Sequence, residues 1–176
     1  MARNVEIKAA VSDLDAVRRR ASAIASGPSQ VINQIDTFFA VPGRRLKVRQ
    51  FADGSGELIS YNRPDGSGPK ISTYSIVACA DARTLVDILV RLLPVRGPVV
   101  KRRELFMIGR TRVHLDEVEA LGSFVELEVV LNDDEPAASG EREARDVMER
   151  LGIAPDSLVP DAYIDLLERR ATIRPV

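Results

Sequence analysis

Val125-Glu126-Leu127-Glu128 alternates apolar and charged side chains without a break. The same alternation recurs in Val5-Glu6-Ile7-Lys8, Leu46-Lys47-Val48-Arg49 and Arg112-Val113-His114-Leu115-Asp116. Successive strand side chains point to opposite faces, so each stretch has one apolar face and one ionisable face. An ordinary half-buried sheet turns its charged face to water. Here the acids gather on some strands and the bases on others, whereas a solvated surface usually intersperses the two signs. A sheet closed on itself would turn such faces inward, giving a polar lumen suited to a charged ligand.

Outward from these stretches, strands are expected over residues 3–10, 30–41, 45–51, 57–63, 70–78, 99–108, 111–118 and 123–131. Ala52-Asp53-Gly54-Ser55-Gly56 suits a hairpin loop between two of them. Ser12-Asp13-Leu14-Asp15 supplies an N-cap and a capping-box acid for a helix to about Ile24. Apolar positions 85, 86, 88, 89, 92 and 93 give Asp81–Leu93 a helical face that stops at Pro94. A polar connector over 132–140 opens a third helix to about Leu151, and Asp161 caps a short amphipathic one reaching 168. That last helix either covers one end of the lumen or packs on the outer wall. Five strands precede the 81–93 helix and three follow it, and a barrel in two halves is expected. The fold class is therefore α+β: a closed eight-stranded antiparallel β-barrel (tunnel) with flanking helices, in one domain over residues 1–176.

With 45% apolar and 29% charged residues the composition is that of a globular chain, not a disordered one. A net charge of −1 provides no global attraction to nucleic acid or to an anionic membrane, so neither is expected as a partner. Any electrostatic specificity must come from local segregation of charge. The N-terminus lacks an apolar signal region and no apolar run reaches spanning length, so a cytoplasmic location is expected. The single Cys79 excludes an internal disulfide; following Ile76-Val77-Ala78, it reads as a buried thiol.

Carried through every strand, the alternation places Glu6, Glu57, Asp116, Glu126 and Glu128 on the inward face. The bases there are Lys8, Lys47, Arg49, Arg63, Lys70, Lys101, Arg103 and Arg112, accompanied by Asn4, Tyr61, Ser72 and His114. Taken singly, each strand also fits a solvated face, and Glu126/Glu128 also fit a surface pair. His114 reads first as a hydrogen-bonding strand residue and second as an acid–base group. Together the bases outnumber the acids, and burying them unpaired costs several kcal/mol per ion. A polyanion with a divalent cation would neutralise both sets. Arg binds phosphate bidentately and Lys as a point charge. Glu126 and Glu128, projecting the same way, suit a hard cation through oxygen.

The same segments resemble the CYTH superfamily of triphosphate tunnel metalloenzymes, nearest in pattern to class IV adenylyl cyclases. Asn4-Val5-Glu6-Ile7-Lys8 resembles the family's opening Glu-x-Glu-x-Lys strand. Gly43-Arg44-Arg45-Leu46-Lys47-Val48-Arg49 and Val100-Lys101-Arg102-Arg103 resemble its basic strands. Arg112 to Asp116 and Gly122 to Glu128 resemble its C-terminal signature. The resemblance implies an eight-stranded tunnel holding a triphosphate, either ATP or inorganic triphosphate, together with Mg2+ or Mn2+. It implies metal binding by Glu6, Glu126 and Glu128, and phosphate binding by Lys8, Lys47, Arg49, Arg63, Lys101, Arg103 and Arg112. Lys101, Arg103 and Asp116 would act on the reacting or positioned groups. Homodimerisation is a family habit. Asn4 stands where the family has its first Glu, which removes one negative charge from the expected metal site.

Three functions follow as expectations. The first is a metal-dependent cyclase turning ATP into cyclic AMP and pyrophosphate. The second is a triphosphatase on the same wall. The third is a non-catalytic polyphosphate or nucleotide binder, or a tunnel recruited to another anionic metabolite.

Overall fold

The computed structural model describes residues 2–62 and 68–173. Along the chain the strands are β1 (Ala2–Ala10), β2 (Gln30–Val41), β3 (Arg44–Phe51), β4 (Gly56–Asn62), β5 (Lys70–Cys79), β6 (Val95–Ile108), β7 (Thr111–Val118) and β8 (Gly122–Leu131). The helices are α1 (Leu14–Ile24), α2 (Ala82–Leu89), α3 (Ala137–Leu151) and α4 (Tyr163–Ile173). All eight strands close into one antiparallel barrel in the order β1-β5-β4-β3-β2-β6-β7-β8. β2 to β5 form one meander and β6 to β8 another, and β1 pairs with β5 on one side and β8 on the other, closing the barrel between them.

Most of the hydrophobic core lies outside the barrel. Val5, Ile7, Val113, Leu127 and Val129 point outward from β1, β7 and β8, and are covered by Ala144, Val147, Met148 and Leu151 of α3 with Val17 and Ala21 of α1. Ala82 of α2 covers Phe39 and Val48. A third cluster sits on the inward face, where Ala162, Tyr163 and Ile164 meet Val99, Val118 and Phe124. Fully burying a Val or Leu contributes about 1.5–3 kcal/mol, so this outer shell offsets much of the cost of a charged interior. Gly140 is what lets α3 lie so close: a Cβ there would stand 2.7 Å from Leu131 Cδ2 and 2.9 Å from Val5 Cγ2.

Several boundaries differ from expectation. α3 begins at Ala137, ahead of the connector's expected end at Gly140. β6 begins at Val95 and runs through Gly97-Pro98. Gly97 has φ 142°, and the register with β2 slips between Phe38 and Phe39. The irregularity accommodates a proline that has no N–H for the ladder. α2 ends at Leu89 and finishes in tight turns, Leu92 N–H donating to the Leu89 carbonyl. Pro94 disfavours helical backbone in the residue before it, and Leu92 is left 70% exposed. α4 reaches Ile173. The carboxylate of Asp161, expected to cap it, pairs with Arg169, while Asp165 Oδ2 accepts from Ala162 N–H at 3.1 Å. Cys79 is half-buried, against the expectation of a buried thiol. No helix among the described residues is long and apolar enough to cross a membrane.

Candidate functional site

Strand parity decides what faces the lumen. Asn4, Glu6 and Lys8 of β1, Lys47 and Arg49 of β3, and Glu57 and Tyr61 of β4 all line one cavity of about 350 Å3. Ser72 of β5, Lys101 and Arg103 of β6, Arg112 and His114 of β7, and Glu126 and Glu128 of β8 line it too. The volume lies in the range usual for small-ligand sites, about 300–1,000 Å3. The solvated-face alternative therefore fails for these strands. Arg63 lies outside the described residues. Lys70 is buried but anchors a wall from beneath, its ammonium donating to the Pro160 carbonyl.

Asp116 sits behind the lining, fully buried, and organises the bases in front of it. It accepts from Arg103 Nε at 2.7 Å, from Lys101 Nζ at 3.0 Å and from the Tyr163 hydroxyl at 3.0 Å. Glu126 meets Arg103 at 2.5 Å and Lys8 at 3.3 Å. Burial alone would raise the Glu126 carboxyl, but Lys101, Lys8 and Arg103 hold it well below the usual carboxylate range. The balance tips the other way at Glu128, two residues on. Burial pushes this carboxyl up, and Glu6 and Glu126 add to the push against Arg103 and Arg112. Glu6 and Glu128 are direct neighbours in the β1–β8 register, so like charges meet there.

A second cluster faces this one. Asp36 of β2, 2% exposed, accepts from Lys47 Nζ at 2.6 Å and from Arg49 Nε at 3.0 Å, with Gln34 Nε2 at 3.0 Å. Burial opposes ionisation of Asp36, yet Arg49, Lys47 and Lys101 keep its carboxyl well below the usual range. Lys47 yields more: burial lowers its ammonium to about 8 despite Asp36. Sequence reasoning missed Asp36 and Gln34 because 30–41 was read for its β-branched and aromatic residues. The signal was parity: Ile32, Gln34, Asp36 and Phe38 share one face and all line the cavity.

The C-terminal segment closes one end of the tunnel, which decides between the two placements expected for the last helix. Ala162 and Tyr163 join the lining. Lys8 Nζ donates to the Asp161 carbonyl at 2.9 Å and stands 3.9 Å from the Tyr163 ring centre. Arg96 and Arg45 grip Asp165 at 2.8 and 3.2 Å and hold α4 in place. Away from Tyr163, partly exposed apolar groups share the same lining: Ile32, Phe51, Ile76 and Leu105.

The donor set fits a divalent cation. Glu126, Glu128 and His114 each offer a ligand atom within 4.8 Å of the others. Two buried polar atoms of the lining have no hydrogen-bond partner, Asn4 Oδ1 and His114 Nδ1. Burial, aided by Arg103, holds the His114 imidazole neutral. Buried polar groups are nearly always paired, so two orphans near the under-compensated Glu128 mark a place for a ligand.

The comparisons with known proteins agree with this geometry. Residues 2–163 match the model of the CYTH domain. Adenylate cyclase CyaB of Aeromonas hydrophila is 28% identical, over 96% of this chain and 91% of its own length. The solved structure of PH1012 from Pyrococcus horikoshii OT3 superposes with a TM-score of 0.81 at 24% identity, covering 93% of this chain and 98% of that one. HpAC1 from Hippeastrum, described as having a dominant triphosphatase activity, superposes with a TM-score of 0.65 at 13% identity, over 98% and 96% of the two chains. At such identities the two solved structures bear on the fold alone.

Proposed function

The chain belongs to the CYTH domain family, and from that premise we propose that its tunnel is a metal-dependent active site for a nucleoside triphosphate. The observation that carries this is the convergence of Lys8, Lys47, Arg49, Lys101, Arg103 and Arg112 with Glu6, Glu126 and Glu128 on one enclosed lumen. Glu128, Glu126 and Glu6 are the candidate metal-binding carboxylates. A divalent cation there supplies charge neutralisation at the phosphates that the lumen's own bases, already engaged by Asp36, Asp116 and Glu126, supply only in part.

Phosphoryl transfer depends on positioning and charge stabilisation more than on a covalent nucleophile. Lys101 and Arg103 are preset by Asp116 with their charged ends in the lumen, so they bind the phosphates and stabilise the charge of the departing group. Asp116 is a positioning residue in this scheme, since it touches the bases and not the lumen. Arg112 and Lys47 approach the phosphate chain from other walls. Arg63 is proposed as a further phosphate ligand from its motif alone.

The apolar group Ile32, Phe51, Ile76 and Leu105 favours a nucleotide over a bare polyphosphate, because it offers the base a non-polar surface beyond the charged zone. In the cyclase reaction the oxygen of the ribose 3′-hydroxyl attacks the α-phosphorus and its proton passes to solvent, while the bond from that phosphorus to the α,β-bridging oxygen breaks and pyrophosphate leaves. The triphosphatase alternative, water attacking a terminal phosphate, uses the same bases and lacks only a role for that apolar group. The closed end at Tyr163 favours it where the substrate is short.

Purified protein given ATP or inorganic triphosphate, each with Mg2+ and with Mn2+, tests both. Cyclic AMP with pyrophosphate is the expected product from ATP. Phosphate release without any cyclic product would establish the triphosphatase instead. Tight triphosphate binding without turnover under either ion would reduce the protein to a binder.

A further inference from the structure

The sequence contains one histidine, and it stands in the carboxylate cluster. His114 and Glu126 face each other in the β7–β8 register, and Arg112 faces Glu128 two pairs along on the same face. His114 is 5% exposed, so solvent does not reach most of the ring. Its Nδ1 lies 3.7 Å from Glu128 Oε1, too far for a hydrogen bond, and it has no other hydrogen-bond partner. A buried ring nitrogen thus stands near the Glu128 carboxylate without bonding it, and Glu126 lies opposite in the ladder.

One kind of ligand resolves all three groups together. Bonds of about 2.1 Å to a divalent ion place two donor atoms up to about 4.2 Å apart. The three donor atoms here already lie within 4.8 Å of one another, so a small side-chain rotation closes the set. The chemistry of the set is unlike that of a pure carboxylate site. Mg2+ takes oxygen ligands and dehydrates reluctantly. Imidazole nitrogen favours first-row transition ions, with affinity rising from Mn2+ through Co2+.

We propose that His114 is an inner ligand of the tunnel's cation site, with Glu126 and Glu128, and biases that site toward transition-metal dications over Mg2+. This rests on the cation-binding role proposed above for Glu126 and Glu128, and adds to it the residue that decides which cation is held. Glu126 is already engaged by Lys8 and Arg103, so the ion would take it over in part from those bases and free them for phosphate. Glu128, the less compensated acid, would bind first.

The single histidine makes the test direct, provided that the chain carries no affinity tag. Protein labelled with 15N-histidine shows one imidazole pair in the nitrogen NMR spectrum. Zn2+ is expected to move the Nδ1 resonance to the metal-bound range in one-to-one stoichiometry, and Mn2+ to broaden it away, while Mg2+ leaves it nearly in place. In calorimetric titration, His114→Gln is expected to weaken Co2+ and Zn2+ at least tenfold and Mg2+ less than threefold. Glu128→Gln is expected to weaken every ion.

Loss of all ions in Glu128→Gln, with an unmoved imidazole and unchanged ion preference in His114→Gln, would remove His114 from the site and leave the cation-binding role intact. Failure of the wild-type protein to bind Mg2+, Mn2+ or Co2+ at all would overturn both. Where His114→Gln does not fold, the wild-type imidazole spectrum alone decides: a shifted Nδ1 supports ligation and a static one refutes it.

Discussion

The two charged walls of the tunnel are built from the same residue types and end in opposite states. On the β2–β3 wall, Asp36 is shared by Lys47 and Arg49 and stays ionised against its burial. On the β1–β8 wall, Glu128 faces Glu6 across the ladder and meets Arg112 at 3.4 Å; burial pushes its carboxyl up, with Glu6 and Glu126 adding to the push. The first wall is complete as it stands, and its charges stabilise one another. On and beside the second, two buried polar atoms, Asn4 Oδ1 and His114 Nδ1 of the adjoining β7, have no hydrogen-bond partner. A lumen can thus hold many charges and still be short of one kind at one place, and that place is where a cation belongs. Net charge conceals this, because the deficit is local.

The difference predicts opposite responses to losing an acid. Glu128→Gln is expected to lower turnover of the preferred triphosphate by roughly a hundredfold or more, since a cation contributes several kcal/mol of transition-state stabilisation. Its melting temperature should stay the same or rise, because a like-charge contact with Glu6 is removed. A stability loss with unaltered turnover would make Glu128 a structural residue.

Asp36→Asn should do the reverse. Removing one partner of a buried charge group leaves Lys47 and Arg49 uncompensated, at a cost of about 3–5 kcal/mol in urea unfolding. Added inorganic triphosphate should recover part of that loss, because the anion replaces the missing acid. A variant as stable as the parent would show that the wall is not self-contained.

Lys47 links that wall to pH. Its ammonium titrates at about 8 in the free tunnel, well below the ordinary lysine value, because of burial. A bound triphosphate favours the charged form, so affinity is fully present below pH 8 and declines above it, by up to about tenfold per pH unit. Calorimetry near pH 8.5 in two buffers of different ionisation enthalpy should report net proton uptake, and Lys47→Arg should abolish it. Equal heats in both buffers for the parent protein would dissociate Lys47 from the ligand.

Tyr163→Phe removes the hydroxyl that donates to Asp116 but leaves Arg103 and Lys101 on the same carboxylate. The expected loss is about 1.5 kcal/mol, the lower end for a bond to a charged acceptor. Outside the barrel the effect should nearly vanish. Arg102 and Glu117 pair at 3.0 Å with side chains 44% and 50% exposed, and Arg102→Ala should cost less than about 1 kcal/mol. A larger loss there would mean that sidedness, inside against outside, is not what sets the strength of these pairs.

Much of this was legible from the residues. Strict alternation around Glu6, Lys47, Arg49, Arg112, Glu126 and Glu128 fixed which side chains share a face, because strand geometry has a period of two whatever the neighbours are. It could not show Asp36, whose strand reads as apolar and aromatic until parity is followed through Gln34. Nor could it show that Asp116, alternating like the others, lies behind the lining and not on it. Depth in a barrel depends on tilt and on what covers the end, and here Tyr163 covers Asp116 from a helix 47 residues away in sequence.

The amino-acid sequence by itself determined the pairing of an apolar outer face with a charged inner one, and therefore a closed sheet, since no open sheet hides so many ionisable groups from water. Only the tertiary structure decided which charges cancel. Cancellation depends on distances between strands far apart along the chain, as between Lys8 and Glu126 or Arg103 and Asp116. Electrostatic energy falls with separation in space and takes no account of separation in sequence.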